Sequence, residues 1–211
     1  MGWSSVTRVG PSRISTFNAV LLPDETIFIV GGQRAGKWNF TDPDPVLDAE
    51  IFDPATGTFA VAPAMQYPRQ YHSIAVLLPD GRVLCAGGVD PTNTVERDLR
   101  QMEVFSPGYL DAGPRPQITN APATAAHGAT ITVDTPDAAA VASAVLTRPN
   151  SVTHHTDAGN RLIKVPITAT AASSIDIQIP ATANIAPPGY YMLFLLDGSK
   201  VPSEAAFIRI G

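Results

Sequence analysis

An internal repeat is the feature that most constrains the fold of this chain. The segment NAVLLPDETIFIVGGQ, beginning at Asn18, aligns without gaps with IAVLLPDGRVLCAGGV, beginning at Ile74, an offset of 56 residues. Further along, AEIFDPATGTF from Ala49 is similar to MEVFSPGYL from Met102, an offset of 53 residues. Each repeat therefore predicts a strand, a turn at LPD, a second strand that ends in Gly-Gly, a variable loop and a third strand.

Repeats of about 50 residues with Gly-Gly after the second strand are typical of kelch propeller blades. Glycine suits a strand near a crowded central axis and also the turn after it. A duplicated hairpin in a β-sandwich is the alternative. Two repeats do not close a propeller, which has roughly four to eight blades. We therefore expect either the carboxy-terminal piece of a longer protein, or open sheet edges that a partner or self-association covers.

The second half of the chain has a different pattern. After GPRPQIT the segment SIDIQIP alternates, so that Ile175, Ile177 and Ile179 share one face. Further strands are predicted at ATITVD, AVASAVLTR, RLIKVPI, GYYMLFLLD and AAFIRI. Short strands with such turns are typical of an immunoglobulin-like sandwich. We predict an all-β chain: a partial kelch β-propeller of about two blades at 1–116, then an immunoglobulin-like β-sandwich at 117–211.

Composition excludes several classes of function. The net charge is -5 and the sequence has no basic cluster, which argues against a nucleic-acid partner. With Cys85 as its single cysteine, the chain cannot form an internal disulfide. No apolar run reaches the roughly 18 residues of a membrane span, and the first residues lack the apolar core of a signal peptide.

The repeat provides an internal control for one candidate site. Tyr71 and His72 begin the second copy, whereas Ser15 and Thr16 occupy the same positions in the first. The fold of the repeat therefore does not demand a Tyr-His pair, which makes these two residues candidates for function. A surface aromatic beside a surface histidine is the simpler alternative.

A second candidate lies in NSVTHHTDAGNR. Adjacent residues of a strand point to opposite faces, so we expect at most one of His154 and His155 to share a site with distant residues. His127 is interpreted as an exposed residue at a strand start. The sequence has no nucleophile elbow, Gly-rich phosphate loop or EF-hand ladder, and Cys85 is interpreted as a buried apolar residue. What remains is a metal site of Tyr71, His72 and one distant histidine, which suits Cu(II) with Zn or Ni as alternatives.

Four ordered motifs carry a resemblance to a known family: YPRQYHSIAVLLPDGRVLCAGG, QMEVFSPGYLDAGPRPQIT, NSVTHHTDAGNRLIKVPI and PPGYYMLFLLDGSKVPSEAAFIRI. They resemble the carboxy-terminal signatures of the galactose oxidase and glyoxal oxidase family of copper radical oxidases. The resemblance implies a kelch propeller followed by an immunoglobulin-like early-set domain. It also implies that Tyr71 is an axial copper ligand that takes the substrate proton, and that His72 and His154 are equatorial copper ligands.

The same resemblance implies the chemistry. Copper and a tyrosine radical cross-linked to cysteine together oxidise a primary alcohol, an aldehyde or a carbohydrate while O2 becomes H2O2. Cys85 does not match the cross-linking cysteine, so the Cys-Tyr cofactor is not encoded here and we expect this chain to be inactive alone. The missing blades would be an upstream segment or a separate chain, and the location extracellular or at the cell surface. A non-catalytic module that binds carbohydrate or protein, and a decayed relative without metal, are the alternatives.

Overall fold

The computed structural model of the chain describes residues 5–10, 13, 15–34, 44–89 and 99–211. Over these residues the chain forms β-strands, one turn of 3-10 helix at Gly108–Asp111 and no α-helix, which confirms the all-β prediction. Two compact units are present: Met1–Leu77 with Val83–Phe105 and Ser151–Ala158, and Leu78–Arg82 with Ser106–Asn150 and Gly159–Gly211. Within the described ranges, no helix is long and apolar enough to cross a membrane.

The first unit contains two antiparallel meanders and a small hairpin. The four-stranded sheet has the order β1-β2-β3-β4 and the three-stranded sheet the order β5-β6-β7. The strands are β1 (Ser15–Leu21), β2 (Ile27–Gln33), β3 (Ala49–Asp53), β4 (Thr58–Ala62), β5 (Ser73–Leu77), β6 (Val83–Gly87) and β7 (Glu103–Phe105). Among the described strands neither sheet closes on itself, so the number of kelch blades and the propeller stay predictions.

The two copies of the repeat share the turn that the sequence predicts. In the first, the Leu22 amide donates to the carbonyl of Thr26 at 2.9 Å; in the second, the Leu78 amide donates to the carbonyl of Arg82 at 2.8 Å. An aspartate side chain caps each turn. Asp24 accepts a hydrogen bond from the Thr26 amide at 3.1 Å, and Asp80 accepts one from the Arg82 amide at 3.0 Å. The alignment at an offset of 56 residues is therefore also a structural alignment.

A buried ion pair that the sequence analysis did not identify ties the first sheet together. Arg13 donates from Nε to the carbonyl of Gly31 at 2.8 Å and forms an ion pair with Glu50, and both side chains are fully buried. A guanidinium removed from water needs such partners because an unpaired buried charge is strongly destabilising. Arg13 lies 56 residues before Arg69, which has the same role in the second copy.

The second unit contains a five-stranded sheet of order β13-β10-β16-β17-β8 and a three-stranded sheet of order β14-β15-β9. The strands are β8 (Thr124–Ala125), β9 (Thr130–Asp134), β10 (Val141–Thr147), β13 (Leu162–Val165), β14 (Ile167–Thr170), β15 (Ser174–Gln178), β16 (Gly189–Asp197) and β17 (Ala206–Ile210). One hydrophobic core takes side chains from both sheets. Ile175, Ile177 and Ile179 are buried in it, as their alternation predicts.

One predicted strand of this unit is two strands. The segment RLIKVPI contains β13 and the first residue of β14, which belong to different sheets and are separated by Pro166. Proline lacks the N–H that a ladder needs, and it therefore marks the point where the chain leaves one sheet for the other.

Candidate metal centre

Arg69 fixes the segment that leads into the candidate site. Its side chain is completely buried, and it donates to the carbonyls of Gly87 at 2.8 Å and Gln101 at 2.9 Å. It also forms an ion pair with Glu103 at 3.1 Å. These contacts join β6, β7 and the residues before β5, so the backbone immediately ahead of Tyr71 is held on several sides.

Tyr71 and His72 form a turn just before β5. The two rings are stacked, with centroids 3.9 Å apart. His72 has a left-handed backbone, with φ of 62°, and its counterpart Thr16 in the first copy has φ of 58°. A positive φ is uncommon outside glycine. Since both copies have one at this position, the conformation is a feature of the repeat and does not depend on the histidine. Both copies have this backbone, and only the second copy carries a tyrosine and a histidine on it.

The two adjacent histidines lie in a hairpin turn rather than on a strand. β11 (Val152–Thr153) pairs with β12 (Thr156–Asp157), so that His154 and His155 are the two residues between them. Their φ values are 51° and 63°, the pattern of a type I′ turn, in which both central residues have positive φ. The expectation that they point to opposite faces of a strand is therefore wrong, because the alternation of a strand does not continue through a tight turn.

This hairpin brings the second histidine to the first. β11 lies against β5 within the first unit. The Nε2 atoms of His72 and His154 are 3.1 Å apart, and the ring centroids of Tyr71 and His154 are 5.8 Å apart. The structure thus brings together all three residues that the sequence analysis selected as metal ligands.

The distance between the two imidazole nitrogens fits a metal ion between them. Metal–nitrogen bonds of about 2.0–2.1 Å at a right angle would place two nitrogens about 2.9 Å apart. Thr153 Oγ1 lies 2.9 Å from Nδ1 of His154, and a proton donated from Nδ1 to this oxygen would leave Nε2 free to bind metal. A set of imidazoles and a phenol suits Cu(II). Across the described residues no group of three or more His, Cys, Asp and Glu side chains could hold a metal ion, so a metal held by these two histidines would need a further ligand of another type.

His155 is a neighbour of this site that the sequence analysis set aside. Its ring centroid is 6.3 Å from that of Tyr71. Burial lowers the pKa of the His155 imidazole to about 4, and the nearby His72 and His154 act in the same direction. Both of its ring nitrogens are buried and neither has a hydrogen-bond partner among the described residues. The run of two histidines was the only sequence signal for this residue.

The remaining cysteine and histidine are accounted for elsewhere. Cys85 lies in β6 and is buried, as predicted. Burial raises the pKa of its thiol to about 12. His127 is half-buried rather than exposed, and its Nε2 lies 2.7 Å from the carbonyl oxygen of Ala186 in the second unit.

Two family descriptions match adjacent parts of the chain. Residues 5–109 match the description "Glyoxal oxidase N-terminus", and residues 115–210 match "Galactose oxidase-like, Early set domain". The chain belongs to the galactose oxidase and glyoxal oxidase family. Both halves of the sequence resemblance, the repeat-bearing half and the sandwich half, are thereby accounted for.

Curated members of the galactose oxidase and glyoxal oxidase family give the same result. The chain is 36% identical over 200 residues to a galactose oxidase from Gibberella zeae, an alignment of 91% of this chain and 28% of that protein. It is 32% identical over 213 residues to the aldehyde oxidase GLOX of Vitis pseudoreticulata, covering 90% of this chain and 40% of that protein. The chain thus spans less than half the length of these relatives.

A solved fungal enzyme has a similar structure. A fungal alcohol oxidase in complex with copper superposes with a TM-score of 0.83 at 32% identity. The alignment covers 92% of this chain and 42% of the fungal one.

Proposed function

We propose that this chain is the carboxy-terminal portion of a copper radical oxidase that converts a primary alcohol or an aldehyde with O2, giving H2O2. The observation that carries the proposal is the 3.1 Å distance between Nε2 of His72 and Nε2 of His154, beside the ring of Tyr71. The relatives support it, since they include a galactose oxidase, an aldehyde oxidase and a copper-bound alcohol oxidase.

Each residue has a separate role in this proposal. His72 and His154 hold copper through Nε2, and Thr153 fixes the ring of His154 through Nδ1. The Tyr71 oxygen, as the phenolate, would take the proton of the substrate hydroxyl and become the phenol, which is the work of a general base within hydrogen-bond reach. When bound, copper together with the cross-linked Cys-Tyr pair of the family supplies the two-electron oxidation.

The proposal also includes a lack of activity in the isolated chain. Cys85, its only cysteine, is buried in β6 with a raised pKa, which is the environment of an inert structural thiol. The cross-linked pair would come from other blades, in an upstream segment or a separate chain. An extracellular or cell-surface location is part of the same proposal.

Copper titration of the 211-residue chain tests the metal site. We expect stoichiometric Cu(II) binding with nitrogen hyperfine structure in the electron paramagnetic resonance spectrum, and loss of tight binding in His72→Ala and His154→Ala. His127→Ala is the matched control, because it removes a histidine outside the site. Free copper at a hundred times its dissociation constant should stabilise the wild type by about 2.7 kcal/mol.

Two results would contradict the proposal. If copper leaves the melting temperature of the wild-type chain unchanged and gives no nitrogen-coupled signal, a non-catalytic binding module is the better description. Peroxide formation by the copper-loaded chain with an alcohol or an aldehyde would contradict the expected inactivity.

A further inference from the structure

Two arginines lie directly opposite each other at one end of the core of the second unit. The Arg148 amide donates to the carbonyl of Arg161 at 3.0 Å, which continues by one residue the ladder in which Thr147 pairs with Leu162. Opposite residues of an antiparallel pair point to the same face, and like charges in this position destabilise a sheet. Two adjacent cations therefore call for a compensating partner.

The side chain of Arg148 is held in place without a partner for its charge. It lies over two glycines: a Cβ on Gly159 would be 3.4 Å from its Cδ, and a Cβ on Gly189 would be 3.3 Å from its Nη2. Among the described residues no carboxylate forms an ion pair with Arg148 or Arg161. The nitrogens of Arg148 also do not belong to the buried atoms that lack a hydrogen-bond partner. Its guanidinium is therefore open to solvent.

Arg161 reaches the same loop as Arg148. Its Nη1 donates to the carbonyl of Ile185 at 2.9 Å, and Ile185 lies four residues before Gly189 in the sequence. Pro187 and Pro188 restrict the backbone between these two contacts. The side chain of Ile185 is 53% exposed. Two guanidinium groups and one apolar side chain thus meet at residues 185–189.

This combination matches an organic anion. A guanidinium presents its N–H groups as a planar fork that fits the two oxygens of a carboxylate. We propose that Arg148 and Arg161 bind a carboxylate group, with Arg148 as the bidentate donor and Ile185 in contact with the apolar part of the ligand. Small organic acids and polysaccharides of uronic acids both carry such a group. The inference does not depend on the copper site or on the proposed function.

A matched pair of sugars tests the site on the metal-free 211-residue chain at low ionic strength. D-galacturonate carries a carboxylate where D-galactose carries a hydroxymethyl group, so calorimetric titration with each isolates the contribution of the charge. We expect galacturonate to bind and galactose not to bind. Arg148→Met, which keeps an apolar stem, should raise the galacturonate dissociation constant about tenfold, equal to about 1.4 kcal/mol. Arg148→Lys should be intermediate, because it keeps the charge and loses the fork.

The control variant is Arg82→Met, which removes an arginine that pairs with Asp80 in a turn. It should bind galacturonate as the wild type does, and circular dichroism should show that all the variants are folded. Equal binding of the two sugars, or an unchanged galacturonate affinity in folded Arg148→Met, would overturn the inference. Tighter binding of inorganic phosphate than of galacturonate would overturn the assignment to a carboxylate.

Polygalacturonate, titrated into the same samples, distinguishes the two sources of the carboxylate. An affinity per carboxylate equal to that of galacturonate would support a small organic acid as the ligand. A gain of about a hundredfold, as multivalent binding gives, would support an acidic polysaccharide.

Discussion

The Nε2 atoms of His72 and His154 lie 3.1 Å apart, although 82 residues separate the two histidines in the chain. Each is presented by a turn with a positive φ, one before β5 and one between β11 and β12. This distance allows a hydrogen bond between the two rings when one nitrogen is protonated, and it is also compatible with a metal ion bound by both.

The hydroxyl of Thr153 should matter for copper affinity. It lies 2.9 Å from Nδ1 of His154, and removing a partner of this kind typically weakens metal binding by about 10- to 100-fold. Thr153→Val should therefore raise the copper dissociation constant about tenfold in a titration with a competing chelator. Thr156→Val, at the opposite position of the hairpin, is the control. Equal affinity in the two variants would exclude an orienting role for Thr153.

Arg69 should contribute strongly to stability. Arg69→Met leaves the carbonyls of Gly87 and Gln101 without their donor and Glu103 without its counter-ion. Removing one partner of a buried ion pair lowers the free energy of unfolding by about 3–5 kcal/mol. We expect a loss of about 3 kcal/mol, because Glu103 is partly exposed. Urea denaturation measures the change.

The control for Arg69 is an ion pair at the surface. Arg82 pairs with Asp80, and both side chains are partly exposed. Arg82→Met should hardly change the free energy of unfolding, since exposed pairs contribute little. A similar loss of free energy of unfolding in both variants would mean that the burial of Arg69 does not explain its contribution to stability.

Two glycines with similar backbone conformations allow two contributions to the free energy of unfolding to be compared: the cost of a left-handed backbone and the cost of a steric overlap. Gly31 has φ of 77° and Gly57 has φ of 69°. A Cβ at Gly57 meets no atom within 4 Å, whereas one at Gly31 would overlap the carbonyl oxygen of Arg69. Gly57→Ala should cost about 1 kcal/mol for its left-handed backbone, and Gly31→Ala about 2 kcal/mol more for the overlap. Thermal unfolding of the two variants gives the difference, and equal losses would rule out the steric argument.

The thiol of Cys85 should be unreactive in the folded chain. Burial raises its pKa to about 12, so at pH 8 it stays protonated in the folded chain, while the unfolded thiol has a pKa of about 8.5. We expect no reaction with Ellman's reagent before denaturant is added and one equivalent of thiol afterwards. The same shift should lower the free energy of unfolding as the pH rises above about 8.5, because only the unfolded chain then loses this proton. Rapid labelling of the native chain at pH 8 would disprove the burial argument.

Local patterns were enough to predict much of the fold. The alternation at Ile175, Ile177 and Ile179 identified the buried face of β15 and of the residue that follows it, and the repeat identified the turns at Leu22 and Leu78 together with the strands on either side. These features depend on residues that are near one another in sequence. The Arg69–Glu103 pair was missed because its partners are 34 residues apart. The 56-residue offset between Arg13 and Arg69 was the available signal.

The candidate site was predicted in part. Tyr71, His72 and His154 came from the comparison of the two repeats and from a family resemblance, and the structure places them together. The position of His155 was predicted wrongly because a two-residue turn and a strand can have the same local composition. Only the pairing of Val152 with Asp157, which depends on hydrogen bonds across the hairpin, decides between them.

Thr16 and His72 share a left-handed backbone at equivalent positions of a duplicated sequence. The repeat therefore contains the same backbone conformation twice. A new pair of side chains at the first copy would require substitutions only, with no change in the length of the loop. In the first copy this position is Thr16. Ser15→Tyr with Thr16→His would therefore be the smallest graft with which a protein engineer could try to install a second Tyr-His pair in this chain.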